Sequence, residues 1–598
     1  MTLGDGPAGG DALPHPLPAG RQLAVTWGIP EPFGGMTSAL LHRSRAFVHL
    51  AHRHVDVLTF DPTPGIADLR ERLLDAGELV PGIRLRNVYD ELRAAPPTPG
   101  PIAFRPGHVR PEAVDVIEAG DGSSLVVARR GGHRVALEHL RADGTLAVRD
   151  ERARESGAPR LITAYDDAGD PVRQWTGAWA FYADWLDGLI GTERAFAITD
   201  SKTVANFMAH HRRPNLVSLH VVHNSHLEGA QRPYGELRPS RRAVFTQLER
   251  FDGVVLLTER QRADAAALVS DPGNLSVVPN GIDPPDVEPA LDRDRDPAAG
   301  VVVAGLTRRK RVGHAIDVVQ VCRRAGLPVT LVVFGDGRDA AALRARVADA
   351  GLADAVRFAG HRDDAAEAFA RASWTLLTST SEGSPLVLAE AMSRGCLPVA
   401  YDIPYGPADL IVDGVDGLLV PDGDRDAAAS AVAKLVAMEP EDRERMRMAA
   451  RATAARHDDR RVVAEWGSVL RAAAERHDRP VSTEVEATVE RLRLRFRGGR
   501  LRVSATLRGV PPDAGVVVSV QRGGRGPLVR TRRVGRDGRI VWRLDESATR
   551  FVGARHPLTC VVAVAVGDTT VELAATTVHP DTRSLPRRAV QRLTRRIS

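Results

Sequence analysis

The sequence predicts an α/β protein in which two doubly wound, Rossmann-like lobes are followed by a smaller all-β domain. Short apolar runs alternate with helical patterns in two separate stretches of the chain, as in parallel sheets that are covered by helices. A third stretch, beyond Pro480, alternates apolar and polar residues and contains no credible helix. With 598 residues, the chain has room for about four domains of ordinary size.

The first lobe is predicted over residues 22–285, after a flexible tail at residues 1–21 that is rich in Gly and Pro. The apolar runs Gln22–Trp27 and Val55–Phe60 flank a Gly-Gly turn and a helical pattern, which together predict a βαβ unit. Residues from about 85 to 180 interrupt the lobe with short alternating stretches and Gly-containing turns. This pattern predicts an antiparallel β-meander inserted into the lobe.

The second lobe is predicted over residues 286–477. Its first residues belong to an acidic, Pro-rich connector that joins it to the first lobe. Two such lobes leave a cleft between them, and doubly wound sheets bind ligands beyond the carboxyl ends of their strands. A basic, sandwich-like β domain is predicted over residues 481–582, and a basic tail over residues 583–598. The amphipathic pattern of this tail suits an anionic membrane surface, and a frayed terminus explains it equally well.

Charge is unevenly distributed along the chain. The net charge is +5, but residues 481–598 contain 23 arginines and ten acidic residues, which gives them a net charge of +13 and the rest −8. This asymmetry indicates a polyanionic partner or a membrane surface, and a merely Arg-rich composition is the alternative. Nucleic acid is not the expected partner, because aromatic residues make up only 5% of the chain and no recognition motif is present.

No segment has the features of a membrane span or a secretory signal. No run approaches ~18 consecutive apolar residues, and the N-terminal tail lacks a charged segment followed by an apolar one. The three cysteines, Cys322, Cys396 and Cys560, fit neither a disulfide framework nor a metal-binding motif. We therefore expect a cytoplasmic protein, with peripheral contact to the inner face of the membrane if the basic tail binds there.

The most informative segment for function is SEGSPLVLAEAMSRGCLPVAYD, residues 381–402. It predicts a turn between a strand and a helix, with Pro385 as the first helical residue. The backbone N–H groups of Ser384, Leu386 and Val387 would then face an incoming anion, as helix N-termini do for phosphates.

Glu382 and Glu390 flank this turn, and both are expected at the rim of the cleft. Glu382 would lie beside the anion, and Glu390 further in. As isolated features they have an ordinary explanation, with Glu382 as a capping acid and Glu390 as an exposed helix residue.

The two glutamates, with seven residues between them, resemble the motif of family 4 glycosyltransferases, which are retaining enzymes with the GT-B fold that use nucleotide sugars. Other family motifs follow in the same order over roughly residues 22–470: Gly34-Gly35-Met36, PNGID at Pro279–Asp283, Lys310, FGDG at Phe334–Gly337 and RFAGH at Arg357–His361. The resemblance predicts the GT-B fold, here with a meander insertion and an additional C-terminal all-β domain.

A narrower resemblance is carried by Ala400–Pro421, the meander and HNSH at His223–His226. It indicates the subgroup that α-glycosylates poly(glycerol-phosphate) or poly(ribitol-phosphate) teichoic acids, to which enzymes that glycosylate serine-rich adhesins are related. The meander of that subgroup is linked to acceptor handling and oligomerisation, so a homo-oligomer is a further expectation.

The family resemblance implies a role for each matching residue. Glu390 would hold the ribose hydroxyls of the donor nucleotide, and Glu382 would contact hydroxyls of the transferred sugar. Gly35 would let the backbone approach the diphosphate, and Lys310 would neutralise charge on the leaving β-phosphate. His361 belongs to the same donor-binding set.

Two points stay open. The family usually has an Arg five residues before Lys310, where this chain has Gly305. Arg308 and Arg309 are the candidates to supply the missing charge, and weakened activity is the alternative. His223 and His226 are both candidates for the histidine that the family places beside the transferred sugar, and either is also compatible with a purely structural role.

The resemblance implies a UDP-linked or other nucleoside-diphosphate sugar as donor, an anionic glycopolymer as acceptor, and no cofactor. No metal site is expected, because the sequence lacks an Asp-x-Asp motif of the kind that metal-dependent transferases use. The leading hypothesis is a retaining hexosyl- or N-acetylhexosaminyltransferase acting on a polyol-phosphate or related envelope polymer. The alternative is a non-catalytic polymer-binding protein with a degenerate donor site.

Overall fold

The computed structural model describes most of both lobes and the strands of the C-terminal domain. The described residues are 16–104, 111–152, 160–229, 232–233, 235–269, 272–282, 291–362, 364–479, 488–497, 500–508, 510, 515–522, 528–533, 539–543, 558–566 and 569–578. Residues 1–15, the connector residues 283–290 with Asp283 of PNGID, and the basic tail at 583–598 lie outside them.

Residues 16–282 form the first lobe and its insertion. In chain order the strands are β1 (Arg21–Val25), β2 (Val55–Thr59), β3 (Ile83–Asn87), β4 (Ala113–Glu118), β5 (Ser124–Arg130), β6 (His133–Leu140), β7 (Leu146–Glu151), β8 (Leu161–Tyr165), β9 (Pro171–Thr176), β10 (Ala195–Thr199), β11 (Leu216–Val222), β12 (Leu227–Glu228), β13 (Glu236–Leu237), β14 (Gly253–Leu256) and β15 (Leu275–Val277). The helices are α1 (Gly35–Ala51), α2 (Ile66–Asp75), α3 (Val88–Ala94), α4 (Ala178–Ile190), α5 (Lys202–Met208), α6 (Pro239–Phe245) and α7 (Glu259–Ala266).

Seven of these strands form a parallel sheet in the order β15-β14-β11-β10-β1-β2-β3. The central strands are short apolar runs whose residues are buried on both faces, as in β10 and β11. The order of the strands reverses between β1 and β10. The loops that follow these two strands therefore border the crevice where doubly wound sheets bind ligands.

The meander is present as a six-stranded antiparallel sheet that runs from β4 to β9 in chain order. It begins later than the predicted position near residue 85, because β3 pairs in parallel with β2 and belongs to the sheet of the lobe. The sequence of β3, IRLRN, alternates in burial because the strand lies at the edge of that sheet. Such alternation is typical of antiparallel strands. This explains why the meander was predicted to begin before its actual first strand.

The second lobe and the helix that follows it comprise residues 291–479. Its strands are β16 (Ala299–Val303), β17 (Thr330–Phe334), β18 (Val356–Gly360), β19 (Trp374–Leu377), β20 (Leu397–Asp402) and β21 (Leu418–Pro421). Its helices are α8 (Val312–Arg324), α9 (Ala340–Asp349), α10 (Leu386–Ser393), α11 (Pro407–Leu410), α12 (Arg425–Ala437), α13 (Pro440–Ala454) and α14 (Asp459–His477). The sheet is parallel in the order β18-β17-β16-β19-β20-β21, so its switch point lies between β16 and β19.

The last helix of this segment, α14, packs on the first lobe. Trp466 lies in the same apolar cluster as Phe47 of α1, with their ring centroids 6.2 Å apart. Leu17 is buried in that cluster as well. Two predicted boundaries are therefore corrected: Leu17 of the tail at 1–21 is packed on the first lobe, and the 286–477 segment contributes its last helix to that lobe. An amphipathic pattern predicts a helix, but it does not indicate which surface the helix covers.

The C-terminal domain consists of two antiparallel sheets, in agreement with the sandwich-like prediction. Its strands are β22 (Thr488–Arg497), β23 (Arg500–Arg508), β24 (Gly515–Arg522), β25 (Leu528–Arg533), β26 (Arg539–Arg543), β27 (Leu558–Val566) and β28 (Thr569–Val578). Val503, Ala505 and Leu507 are buried at alternate positions of β23, which fits a strand with one face in a core. Within the described residues, no helix is both long and apolar enough to span a bilayer.

Candidate active site

The loops that follow β16 and β19 are joined at the switch point of the second sheet. The hydroxyl of Thr378 donates to the carbonyl oxygens of Lys310 and Arg311, each at 3.0 Å. The N–H of Thr380 donates to the carbonyl of Arg309 at 2.9 Å. These bonds fix the backbone of the basic loop relative to the loop that carries the glutamate motif.

Glu382 lies in this joined unit and is 6% exposed. Lys310 Nζ donates to its Oε1 at 2.7 Å, and Arg309 Nη1 donates to its Oε2 at 2.9 Å. Burial by itself would raise the pKa of Glu382, but the charges of Lys310 and Arg309 outweigh it and hold the pKa below its ordinary value. The carboxylate is therefore ionised at neutral pH. Glu382 is more buried than a position at the rim of the cleft implies, because its pairing with two cations compensates the burial.

The predicted turn between a strand and a helix is present, with the helix start shifted by one residue. Helix α10 begins at Leu386, because Pro385 has an extended backbone and serves as the N-cap. Leu386 and Val387 still lie in the first turn, where backbone N–H groups have no acceptor within the helix. Ser384 precedes the cap, and Glu390 lies one turn further along, half-buried.

The first lobe contacts this unit through the segment after β11. A Cβ at Gly383 would lie 2.2 Å from the carbonyl oxygen of His223, so the close approach requires glycine. Arg238 of the first lobe donates through Nη2 to Ser381 Oγ at 2.8 Å. The structure therefore brings Glu382 and His223, which lie far apart in the sequence, to one site between the lobes.

His223 is oriented by a buried carboxylate. His223 Nε2 lies 2.7 Å from Asp200 Oδ1, and Arg43 donates to both oxygens of Asp200, at 3.0 and 2.7 Å. Burial alone would raise the pKa of Asp200, but Arg43 and His223 outweigh it and lower the pKa to about 2. Because the Asp200 carboxylate occupies Nε2, Nδ1 is the ring nitrogen of His223 that is left to contact a ligand.

His226 is in a different environment. Its ring is fully buried between Phe245 and Tyr405, with centroids 4.8 and 5.7 Å away. Burial, together with the charge of Arg241 and neighbouring arginines, lowers the pKa of His226 to about 3. The ring is therefore neutral and enclosed, which favours His223 as the histidine that contacts a ligand.

The other predicted donor-binding residues lie at the carboxyl edges of the two sheets. Gly35 begins α1 after β1 and is exposed, and a Cβ there would meet no atom within 4 Å. The protein's own packing therefore does not require this glycine. Arg308 is exposed in the same loop as Arg309, and His361 follows β18, two strands from the switch point. The structure thus assembles Glu382, Lys310 and Arg309 in one cluster and places His361 outside it.

Two residues of the site were missed by the sequence-based predictions. Asp200 ends the run FAITD directly after β10, and Arg43 lies on α1. The carboxylate at the end of a central strand was a usable signal, because the loop after that strand borders the crevice. Arg43 had no comparable signal. The chain has 78 arginines, and in the sequence an arginine on a helix that forms a buried ion pair looks the same as a solvated one. Across the described residues, no cluster of three or more His, Cys, Asp or Glu side chains is arranged to hold a metal ion.

Gly305 can accept the arginine that the family usually has there. It is exposed in the loop after β16, and a Cβ would meet no atom within 4 Å. We expect Gly305→Arg to leave the melting temperature unchanged and to tighten UDP binding about tenfold, as a charged hydrogen bond of ~1.5 kcal/mol does. Isothermal titration with UDP measures this, with Gly305→Gln as the uncharged control. Equal affinity of both variants and wild type would show that an arginine at position 305 adds no contact to the diphosphate.

The comparisons with known protein sequences each match only a part of this chain. Residues 287–453 match the family model described as glycosyl transferases group 1. A poly(glycerol-phosphate) α-glucosyltransferase of Bacillus subtilis is 28% identical over 204 residues, which are 33% of this chain and 29% of that protein. An exopolysaccharide phosphotransferase of Streptomyces coelicolor is 37% identical over 190 residues, which are 31% of this chain and 20% of that protein. The match thus spans less than a third of the length of either relative.

The similarity to a solved structure extends over both lobes. A variant of Staphylococcus aureus TarM, in complex with fondaparinux, α-GlcNAc-glycerol and UDP, has a TM-score of 0.60 to this chain at 17% identity. The superposition covers 76% of this chain and 100% of that one. At this identity the similarity shows the fold. The chain therefore has the GT-B fold predicted from its sequence, and the match to the glycosyl transferases group 1 model lies within this fold.

Proposed function

We propose that this protein is a retaining α-glycosyltransferase that moves a hexose or N-acetylhexosamine from a UDP-linked donor to a polyol-phosphate or related envelope polymer. The observation that carries the proposal is the cluster of Glu382, Lys310 and Arg309 at the switch point, opposite His223 of the other lobe. It combines cations for a leaving diphosphate with a carboxylate and an imidazole for sugar hydroxyls. Two similar proteins support the substrate class. The Bacillus subtilis relative is a poly(glycerol-phosphate) α-glucosyltransferase, and the TarM variant was solved with UDP and α-GlcNAc-glycerol.

In the proposed mechanism the donor diphosphate lies between Lys310 and the start of α10. Lys310 stabilises the charge that develops on the β-phosphate as the bond between it and the sugar C1 breaks. A diphosphate that approaches Lys310 draws the cation away from Glu382, which then accepts hydrogen bonds from the sugar. Glu390 holds the ribose, and His223, held by Asp200, contacts a sugar hydroxyl. The acceptor oxygen bonds to C1 on the same face, and its proton passes to the leaving phosphate.

Incubation of the full chain with a panel of nucleotide sugars tests the proposal. We expect one donor, UDP-linked, to yield free UDP and a glycosylated glycerol-phosphate or ribitol-phosphate oligomer. Release of UMP would instead indicate transfer of a sugar phosphate. Absence of turnover and of binding with every donor would favour the alternative, a polymer-binding protein with a degenerate donor site.

The remaining partners and the location belong to the same proposal. We place the protein in the cytoplasm, at the inner face of the membrane, because its three cysteines are free, buried thiols and its C-terminal part is strongly basic. A homo-oligomer through the meander is supported by β4, whose six residues are all exposed. These include Val114 and Val116, each 54% exposed, so the strand offers an apolar edge for pairing.

Removal of residues 481–598 is expected to leave transfer to short acceptors within about twofold of wild type, since the matched motifs lie in the two lobes. Affinity for a long anionic acceptor should fall at least tenfold. The truncation removes residues with a net charge of +13 and leaves residues 1–480, whose net charge is −8. Binding of the full chain should also weaken with salt, which screens exposed charges over ~10 Å at 0.1 M.

Acceptor binding at low and high ionic strength measures both effects. Thermal unfolding of the two lobes serves as the control for the truncated chain. Equal affinities of both chains, or indifference of the full chain to salt, would show that the charge asymmetry is only compositional.

A further inference from the structure

A second group of cations lies on the first lobe beside the site. Lys202 is the first residue of α5, two residues after Asp200, and Arg238 and Arg241 stand one turn apart at the start of α6. Helices α5 and α6 pack against each other. These three residues, called the acceptor-side cluster below, form no ion pair with any residue that the structure describes.

Arg241 is the member that most needs a partner. The residue is 8% exposed, and its Nη1 is buried without a hydrogen-bond acceptor among the described residues. The same holds for His220 Nε2 and for both ring nitrogens of His226, and the charge of Arg241 acts on both of these histidines. A buried guanidinium that lacks an acceptor costs stability, so a ligand that supplies acceptor oxygens would relieve that cost.

The members of the cluster also repel one another. Burial, and then the charges of Arg241 and Arg238, lower the pKa of Lys202. Burial, and then the charge of Arg238, lower the pKa of Arg241 to about 10. Burial also lowers the pKa of Arg238, an effect that the charge of Glu228 opposes and the charge of Arg309 reinforces. An anion placed among the three cations would remove this repulsion.

The position of the cluster separates it from the donor site. Lys310 and Arg309, which the proposed mechanism assigns to the diphosphate, belong to the second lobe and are paired with Glu382. The cluster belongs to the first lobe, at the start of α5, which follows β10, and at the start of α6. Arg238 connects the two sites, because it reaches Ser381, the neighbour of Glu382, at 2.8 Å. An anion held by the cluster would therefore lie next to the transferred sugar, on the acceptor side.

We propose that Lys202, Arg238 and Arg241 bind a phosphate group of the acceptor. This inference rests on the proposed function and narrows its substrate class. The enzyme would select acceptors in which a phosphate ester is a near neighbour of the hydroxyl that is glycosylated, as in a polyol-phosphate chain. The three cations would place that hydroxyl at the sugar C1, while His223 and Glu382 hold the sugar.

Binding of glycerol phosphate and of UDP to the full chain, measured separately by isothermal titration, tests the inference. We expect Lys202→Met and Arg241→Met each to raise the Kd for glycerol phosphate at least tenfold and to leave the Kd for UDP within twofold. In transfer assays, KM for a glycerol-phosphate oligomer should rise at least tenfold while kcat changes less than threefold. Arg242→Met is the matched control, since Arg242 neighbours Arg241 on α6 but lies 3.7 Å from Glu236. It should change neither Kd.

The outcomes distinguish this inference from the proposed function. Unchanged Kd values for glycerol phosphate in both variants, or equal binding of unphosphorylated glycerol, would overturn the acceptor-phosphate site. An equal loss of UDP binding would overturn it too, because the cluster would then belong to the donor. Failure of the wild type to transfer any sugar would refute the proposed function, and the binding measurements would still decide on the cluster. Lys202 is exposed, so its variant keeps the test informative if the Arg241 variant does not fold.

Discussion

Replacement of Lys310 by Met is expected to lower kcat for sugar transfer by about 10²- to 10³-fold, the loss typical when one group that stabilises developing charge is removed. Lys310 Nζ is 2.7 Å from Glu382 and its side chain is 19% exposed, so the cation lies in a largely dehydrated position. Lys310→Arg should also lose at least tenfold, because a planar fork does not reproduce a compact point charge. Initial-rate measurements with the donor found in the panel give both values.

Lys434→Met is the control for this substitution. Lys434 is an exposed residue in the last turn of α12. Its replacement changes the net charge by the same amount as that of Lys310 but does not alter the cleft. Wild-type kcat is expected for this variant. Wild-type kcat in Lys310→Met would show that the leaving phosphate does not lie at Lys310.

A pH profile adds an independent readout. The charges of Lys310 and Arg309 hold the pKa of Glu382 below its ordinary value against the effect of burial. When Lys310 is replaced by Met, the pKa of Glu382 in the free enzyme should rise, so the acid limb of the kcat/KM profile should move to higher pH. Lys310→Arg retains the charge and should leave that limb near its wild-type position. An unmoved limb in Lys310→Met would mean that Glu382 is not the group that titrates.

The parts of the fold that were predicted from the sequence depend on local periodicity. Short apolar runs separated by amphipathic helices can bury both faces only in a parallel sheet covered by helices, and this determines both lobes. The position of the site follows from the same pattern, because the loop of Lys310 and the loop of Glu382 follow the two strands at the switch point. The order of the strands was not visible in the sequence. The motifs of the resembled family nevertheless lie in the loops that this order brings together.

What escaped prediction depends on contacts between distant parts of the chain. The burial of Glu382 results from its pairing with two cations that precede it by more than 70 residues. The orientation of His223 results from Asp200 and, through it, from Arg43 on α1. Each of these side chains resembles an ordinary surface charge in the sequence, and only the tertiary structure identifies its partner.

The second large effect is expected at Asp200. Asp200→Asn should destabilise the first lobe by about 3–5 kcal/mol, the usual cost when one partner of a buried ion pair is removed. Arg43 is 8% exposed and would keep its charge, and the amide would replace one of the two acceptor oxygens with an N–H group, which faces Arg43 in either orientation. Transfer activity should fall as well, because His223 would lose the group that fixes its ring.

The double variant Arg43→Met/Asp200→Asn separates the two effects. Removal of both buried partners is often nearly neutral for stability, so the double variant should recover most of the unfolding free energy in urea but not the activity. The difference between wild type and Asp200→Asn should be constant between about pH 5 and pH 8. A carboxyl group whose pKa is lowered to about 2 contributes fully above its unfolded value of about 3.9 and loses that contribution only as the pH falls toward 2. Recovery of activity together with stability in the double variant would show that the charge of Asp200 is not required to orient His223.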